Sequence, residues 1–162
     1  MITLIAESKT MSGIEKPITS ELLSCNTPFL QSLANQTISY IKSLTISHIA
    51  EKLKISTSLA RKVVKLIYNF DFTTTGNTAI ESFTGDVFKA LDINSLSENA
   101  KIRLNQNLLI ISSLYGLLRP LDIIKNYRLD FNVDCAPDDK NIIQYRNFKS
   151  KNFYPNTSLV FT

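Results

Sequence analysis

The sequence predicts a mixed α/β fold, in which one small sheet is covered by helices. Short apolar runs bounded by turn residues predict strands near residues 2–6, 79–83 and 108–114, and a fourth is considered near 127–131. Apolar residues at helical spacing predict helices between these runs, with a projecting helical pair over 45–70. A chain of 162 residues with 44% hydrophobic residues is large enough for one domain with a real core.

The most informative stretch runs from Leu108 to Asp130 and reads LLIISSLYGLLRPLDIIKNYRLD. Its apolar start is typical of a strand buried on both faces. Pro120 cannot donate a ladder hydrogen bond, so the strand should stop there and hold Arg119 near its end. A guanidinium at a strand exit can bind a carboxylate or phosphate in two places. The alternative is that Arg119 and Asp122 pair and cap the next helix.

Capping residues indicate where several of the predicted helices begin. Thr27 caps a first helix that has Pro28 at its first position and ends near Ser43. The next helices are predicted at Thr45 to Lys54, from the Ser56 cap to Phe70, from Gly85-Asp86 to Leu91, and from a Ser95 or Ser97 cap to Asn107. Residues 11–27 and 71–77 are predicted as loops.

Composition excludes several classes of protein. No apolar run approaches the ~20 residues of a transmembrane helix, and no basic residues precede the apolar N-terminal stretch as in a signal peptide, which predicts a cytoplasmic protein without membrane contact. Cys25 and Cys135 are predicted to be free thiols. The single histidine, His48, argues against a histidine metal site or a catalytic triad, so no metal or cofactor is predicted.

Positive charge is concentrated in the predicted helical pair. The net charge is +4, and the segment from Lys42 to Lys65 contains six lysines and arginines but one acidic residue, Glu51. This excess favours a nucleic-acid partner. A helix-turn-helix is one interpretation, although Lys54 occupies a turn position where glycine is usual. The other is a helical pair packed on the core with a solvated basic face. The candidate nucleic-acid-binding residues are Lys52, Lys54, Arg61, Lys62 and Lys65.

A second set of polar residues falls near predicted strand ends. Lys9 follows the first strand, and Asp86 lies at a strand-to-helix junction, as a helix cap or a metal-binding carboxylate. If these residues converge, the pocket suits a phosphate or carboxylate substrate of an enzyme of unknown reaction. The candidate pocket residues are Lys9, Asp86, Tyr115, Arg119, Asp122, Tyr127 and Arg128.

Three segments resemble those of the YaaA peroxide-stress-response family. They are Ser113 to Asp122 (SLYGLLRPLD), Phe83 to Phe88 (FTGDVF) with Leu91, and Tyr127-Arg128-Leu129, in matching order and spacing. Lys9 corresponds to the lysine of the family's Ser-Pro-Ala-Lys element, whose Ser-Pro is replaced here by Ala6-Glu7. The resemblance covers about residues 1–145.

The resemblance implies a function in the peroxide stress response. Family members limit oxidative damage by lowering free iron and by binding DNA, and the helical pair would be a helix-hairpin-helix that grips double-stranded DNA without reading its sequence. Scattered carboxylates, lone cysteines and one histidine give no evident iron ligand set, so an effect on iron is expected to be indirect. The alternatives are the enzyme described above and a helix-turn-helix regulator.

The resemblance stops near residue 145. Residues 146–162 (RNFKSKNFYPNTSLVFT) are expected to form a divergent or frameshifted tail, because members of this family usually continue into a second half. A chain without that half would expose sheet edges and an apolar face. A non-functional remnant is therefore one interpretation, and the oligomeric state is left open.

Overall fold

A computed structural model describes residues 2–19 and 26–145 of the chain, and its mixed α/β fold confirms the predicted class. The strands are β1 (Thr3–Ala6), β2 (Lys16–Pro17), β3 (Thr75–Thr78), β4 (Leu108–Ser112), β5 (Gly116–Leu118) and β6 (Ile123–Ile124). The helices are α1 (Gln31–Ser43), α2 (Ile46–Leu53), α3 (Thr57–Tyr68), α4 (Ala79–Ser82), α5 (Asp86–Leu91) and α6 (Glu98–Asn107). Two 3-10 turns lie at Ile93–Ser95 and Pro137–Asp139.

The first sheet has the order β1-β4-β5. β1 pairs in parallel with β4, with Thr3 opposite Leu108, and β4 pairs antiparallel with β5. The carboxyl ends of β1 and β4 therefore lie at one edge, and the backbone N–H of Glu7 extends the ladder by donating to the Ile111 carbonyl at 3.0 Å. This edge is where open α/β sheets place binding sites.

The second sheet has the order β2-β3-β6, and both of its pairings are antiparallel. An ion pair links the ends of its two outer strands, because the Nζ of buried Lys125, just after β6, lies 2.7 Å from Oε2 of partly buried Glu15, just before β2. The Thr75 hydroxyl lies within 2.8 Å of both charged groups. The prediction of a surface loop over 11–27 was therefore wrong for its first part, because Glu15 anchors it to the sheet. Residues 20–25, including Cys25, lie outside the described residues.

The helical pair forms as the sequence predicts. The side chains of Thr45 and Ser56 accept the N-cap hydrogen bonds of α2 and α3. Lys54 ends α2 in the left-handed conformation (φ 54°), and the N–H of Ile55 donates to the Ala50 carbonyl, which completes a Schellman motif. The pair packs against α1 and the core through buried Ile49, Leu53, Ala60, Val63 and Ile67.

Two of the predicted strands were wrong. Residues 79–83 were predicted as a strand, but 79–82 form the short helix α4, and the strand lies just before it at β3. The turn after β5 supplies the start of this helix, because the carbonyls of Pro120 and Asp122 accept hydrogen bonds from Ile80 and Ala79. Residues 127–131 form no strand either, and the pairing strand is β6, a few residues earlier.

The long apolar stretch is divided into two strands. The strand predicted for 108–114 ends at Ser112, and a three-residue turn reverses the chain into β5, which ends just before Arg119. The first helix begins at Gln31 rather than at Pro28, and no side chain caps it. The α5 and α6 predictions were correct, with Ser97 rather than Ser95 capping α6. Residues 146–162, the predicted divergent tail, lie outside the described part of the chain.

Buried apolar side chains from the helices and from both sheets form one cluster. Tyr115 is completely buried in it and makes edge-to-face contacts with Phe72 and Tyr127, at centroid distances of 6.1 and 5.7 Å. Cys135 is a free thiol in the same cluster, as predicted, and burial raises its pKa to about 11. Among the described helices, none is both long and apolar enough to cross a membrane.

Gly116 is the position where the β4–β5 turn depends on glycine. Its φ is +78°, and an added Cβ would lie 2.8 Å from Leu30 Cδ1 in the core. The backbone strain and the overpacking predict that Gly116→Ala lowers the free energy of unfolding by about 2–3 kcal/mol, measured by urea denaturation. Gly13→Ala is the matched control, because nothing lies within 4 Å of its added Cβ. Equal effects of the two substitutions would contradict this prediction.

Candidate functional site

A groove lies where the exit of β1 meets the segment after β6. Its volume is about 350 Å³, and the turn between α2 and α3 forms its opposite wall. Two residues of the predicted pocket, Lys9 and Arg128, line it together with Lys54 from the predicted nucleic-acid-binding set. We call it the cationic groove, and it is lined by Lys9, Leu53, Lys54, Ile55, Arg128, Leu129, Asp130, Asn132 and Val133.

The cationic groove carries an excess of positive charge. Lys9 Nζ lies 2.7 Å from Asp130 Oδ2, and this hydrogen bond is the main cause of a lowered pKa at Asp130. Lys54 and Arg128 are exposed, and no carboxylate in the described ranges lies within 4 Å of either charged group. The groove therefore carries three positive groups against one negative group, over a lining that is partly apolar.

A hydrogen-bonded network of Glu7, Ser112 and Tyr127 lies at the same sheet edge. Tyr127 directly precedes the groove residues Arg128 and Leu129 in the sequence. The Tyr127 hydroxyl contacts the carboxylate of partly buried Glu7 and lies 2.7 Å from Ser112 Oγ. Burial raises the pKa of Glu7, and it also raises the pKa of Tyr127 well above its usual value, with a further increase from Glu7. Glu7 was not among the predicted pocket residues. Its position as the first acid after β1 was the signal that could have identified it.

The other members of the predicted pocket lie elsewhere. The hydroxyl of buried Tyr115 accepts a hydrogen bond from the Lys125 N–H at 3.0 Å. Asp122 is buried, and its Oδ2 accepts from the Arg119 backbone N–H at 2.8 Å. Asp122 therefore closes a turn, while the Arg119 side chain is exposed. These residues organise the backbone around β5, and they do not line the cationic groove.

Asp86 is also separate from the groove. It is exposed at the first position of α5, where its carboxylate lies 3.8 Å from the ammonium of Lys89 and makes no side-chain capping bond. Within residues 2–19 and 26–145, no group of three or more histidine, cysteine, aspartate or glutamate side chains is arranged to hold a metal ion.

The five predicted nucleic-acid-binding residues divide into three groups. Arg61, Lys62 and Lys65 are exposed on α3, a helix without acidic residues. Lys52 instead binds Asp139 at 2.9 Å, and this hydrogen bond raises the pKa of the lysine; the Tyr40 hydroxyl binds the same carboxylate. Lys54 lines the cationic groove.

The turn at Asp122 predicts a pH-dependent stability. Burial raises the pKa of this carboxyl to about 6, so between about pH 4 and 6 the unfolded chain loses a proton that the folded chain retains. The free energy of unfolding should therefore fall by up to about 3 kcal/mol as the pH rises from about 4 to 6. Asp122→Asn keeps an acceptor for the Arg119 N–H and should remove this decrease in urea denaturation at pH 4 to 7.

Asp86→Asn is the matched control, because it removes an exposed carboxylate and should leave the pH dependence of the wild type. A decrease in Asp122→Asn as large as that of the wild type would contradict the role assigned to this carboxyl.

Comparisons with known proteins agree with the family resemblance seen in the sequence. The profile of a family described as "Peroxide stress protein YaaA" matches residues 1–154. A UPF0246 protein of Rickettsia bellii is 35% identical over 130 residues, which are 80% of this chain and 51% of that protein. A UPF0246 protein of Shewanella woodyi is 34% identical over 139 residues, covering 84% of this chain and 53% of that protein. The chain spans about half the length of the curated relatives it matches.

Proposed function

The chain belongs to the YaaA family of peroxide stress proteins, and from this we propose that it acts in the response to peroxide stress. Its contribution is to limit oxidative damage in the cytoplasm, by binding double-stranded DNA through the phosphate backbone and by lowering free iron. The resemblance of the helical pair to a helix-hairpin-helix supports the DNA-binding part. The family relationship alone supports the part concerning iron.

One observation carries the DNA-binding proposal, and it is the exposed face of α3. Arg61 and Lys65 lie one turn apart, and Lys62 is adjacent to Arg61, so three cations project from little more than one turn of the helix. No acid within α3 offsets them, and no ion pair engages them among the described residues. Cations that are not already paired are available to replace the counterions of DNA.

Binding of this kind is expected to be independent of sequence. The start of α3 presents Thr57 and Ser58, and neither glutamine nor asparagine lies there to read a base edge in two places. Lys52 contributes less than its charge implies, because Asp139 already binds its ammonium. Contacts to phosphates position a protein on DNA but carry no sequence information.

We predict that the chain binds unrelated DNA duplexes with similar affinity, and that its affinity falls steeply as salt rises. Changing Arg61, Lys62 and Lys65 together to Ala should decrease the slope of log K against log salt by up to about 3, because each lost phosphate contact contributes about 0.9. Fluorescence anisotropy of labelled duplexes across a salt series measures both quantities.

The control for the triple variant changes Lys89, Lys101 and Arg103 of α5 and α6 to Ala, which removes the same charge from other helices. An equal loss of affinity in both variants would show only a dependence on net charge. Binding that survives high salt on one sequence alone would favour a helix-turn-helix regulator instead.

We propose that the effect on iron is indirect, since the sequence holds one histidine and two cysteines. Cells that produce the chain should then contain less chelatable iron during peroxide exposure, measured by electron paramagnetic resonance of a chelator-treated culture. The purified chain should retain much less than one equivalent of Fe²⁺ after desalting. Stoichiometric retention of iron by the purified chain would contradict the indirect effect.

A further inference from the structure

The cationic groove combines side chains that come from three distant parts of the chain. Lys9 follows β1, Lys54 ends α2, and Arg128 follows β6, yet all three line one concave surface. Leu53, Ile55, Leu129 and Val133 give this surface an apolar component. A volume of about 350 Å³ lies within the usual range for small-molecule sites, about 300–1,000 Å³.

Lys54 carries a second, independent indication of function. Its φ of 54° is a conformation that glycine adopts freely and that costs other residues about 1 kcal/mol or more. Helix ends of this kind usually have glycine at this position. A lysine at this position destabilises the folded chain, but it places an ammonium on the groove wall. The backbone strain has a functional explanation if this ammonium binds a ligand in the groove.

We propose that the cationic groove is a binding site for a phosphate group attached to an apolar or planar body, as in a nucleotide. The ammonium of Lys54 and the guanidinium fork of Arg128 bind the phosphate, and the apolar lining contacts the attached body. The Asn132 amide supplies a neutral donor. Asp130 holds the ammonium of Lys9 in an ion pair, and its negative charge opposes any anion nearby.

This site is separate from the face of α3 on which the proposed DNA contact rests. Arg61, Lys62 and Lys65 do not line the groove, and Arg61 and Lys65 line a different depression with Ile46. The phosphate can come from a free phosphomonoester or from DNA itself. The chemistry of the groove is the same in both cases, and the experiment below distinguishes them.

The test is isothermal titration calorimetry of the full chain with deoxyadenosine monophosphate at low salt. Lys54→Gly is the most informative variant, because it removes the ammonium while relieving the strained φ. It should melt at the same temperature as the wild type or higher, and it should bind at least tenfold more weakly. Arg128→Ala should lose binding to a similar extent. Arg119→Ala is the matched control, since this exposed arginine lies outside the groove.

Asp130→Asn tests the sign of the charge effect. Removing this carboxylate frees Lys9 and removes a repulsion, so the variant should bind deoxyadenosine monophosphate several-fold more tightly. The proposal is overturned if the folded wild type does not bind the probe, or if Lys54→Gly and Arg128→Ala bind as the wild type does. An equal loss in Arg119→Ala would also overturn it.

Duplex DNA identifies the source of the phosphate. If duplex competes with deoxyadenosine monophosphate and Lys54→Gly weakens both, the groove takes a phosphate of DNA. If Lys54→Gly loses the mononucleotide but keeps its affinity for duplex, the ligand is a free phosphomonoester. The variant of Arg61, Lys62 and Lys65 should retain mononucleotide binding in either case, so failure of the DNA-binding proposal leaves this one testable.

Discussion

The parallel pairing of β1 with β4 is the constraint on which the described structure depends. It joins Thr3–Ala6 to Leu108–Ser112 across all the intervening helices, and a pairing between such distant parts of a chain carries a loop-closure entropy cost before it gains contacts. The pairing also fixes where both strands end. Glu7 follows β1 and Ser112 ends β4 at the same edge of the sheet, so both reach the Tyr127 hydroxyl. Lys9 leaves the same edge and reaches Asp130.

The turn after β5 explains why the most distinctive segment of the sequence contributes little to the groove. Its carbonyls at Pro120 and Asp122 start α4, its Leu121 N–H donates to the Asn105 side chain of α6, and Asp122 closes it. Each group is buried or shared, so a substitution would disturb several elements together. Residue types that are typical of binding sites here connect a sheet to two helices.

Most helices of this fold could be predicted from the sequence, because the residues that specify a helix are neighbours in the chain. Helical periodicity predicted the helix from Thr45 to Lys54, and periodicity with a cap predicted the helices after Ser56 and after Ser95 or Ser97. All three form, since the residues that specify each helix are adjacent in the chain. The failures were non-local. Residues 79–82 are helical because carbonyls some forty positions later accept hydrogen bonds from the first N–H groups of the helix. Glu15 is partly buried because it pairs with Lys125. The candidate site followed the same rule: Lys9 and Arg128 were identified as charged residues near strand ends, but only the tertiary structure brings Lys54 and Asn132 to them.

The separation of the basic residues shows why a count of positive charges is a weak guide to function. Lys52 and Lys54 are two residues apart, yet one binds Asp139 and the other lines an open groove. The difference arises at the end of α2, where the left-handed residue turns the chain and directs Lys54 away from the helix that carries Lys52. The three cations of α3 are separated again by the turn into the next helix. One basic segment therefore yields a paired lysine, a groove lysine and an exposed face, and only the last two can receive a phosphate without first breaking an ion pair.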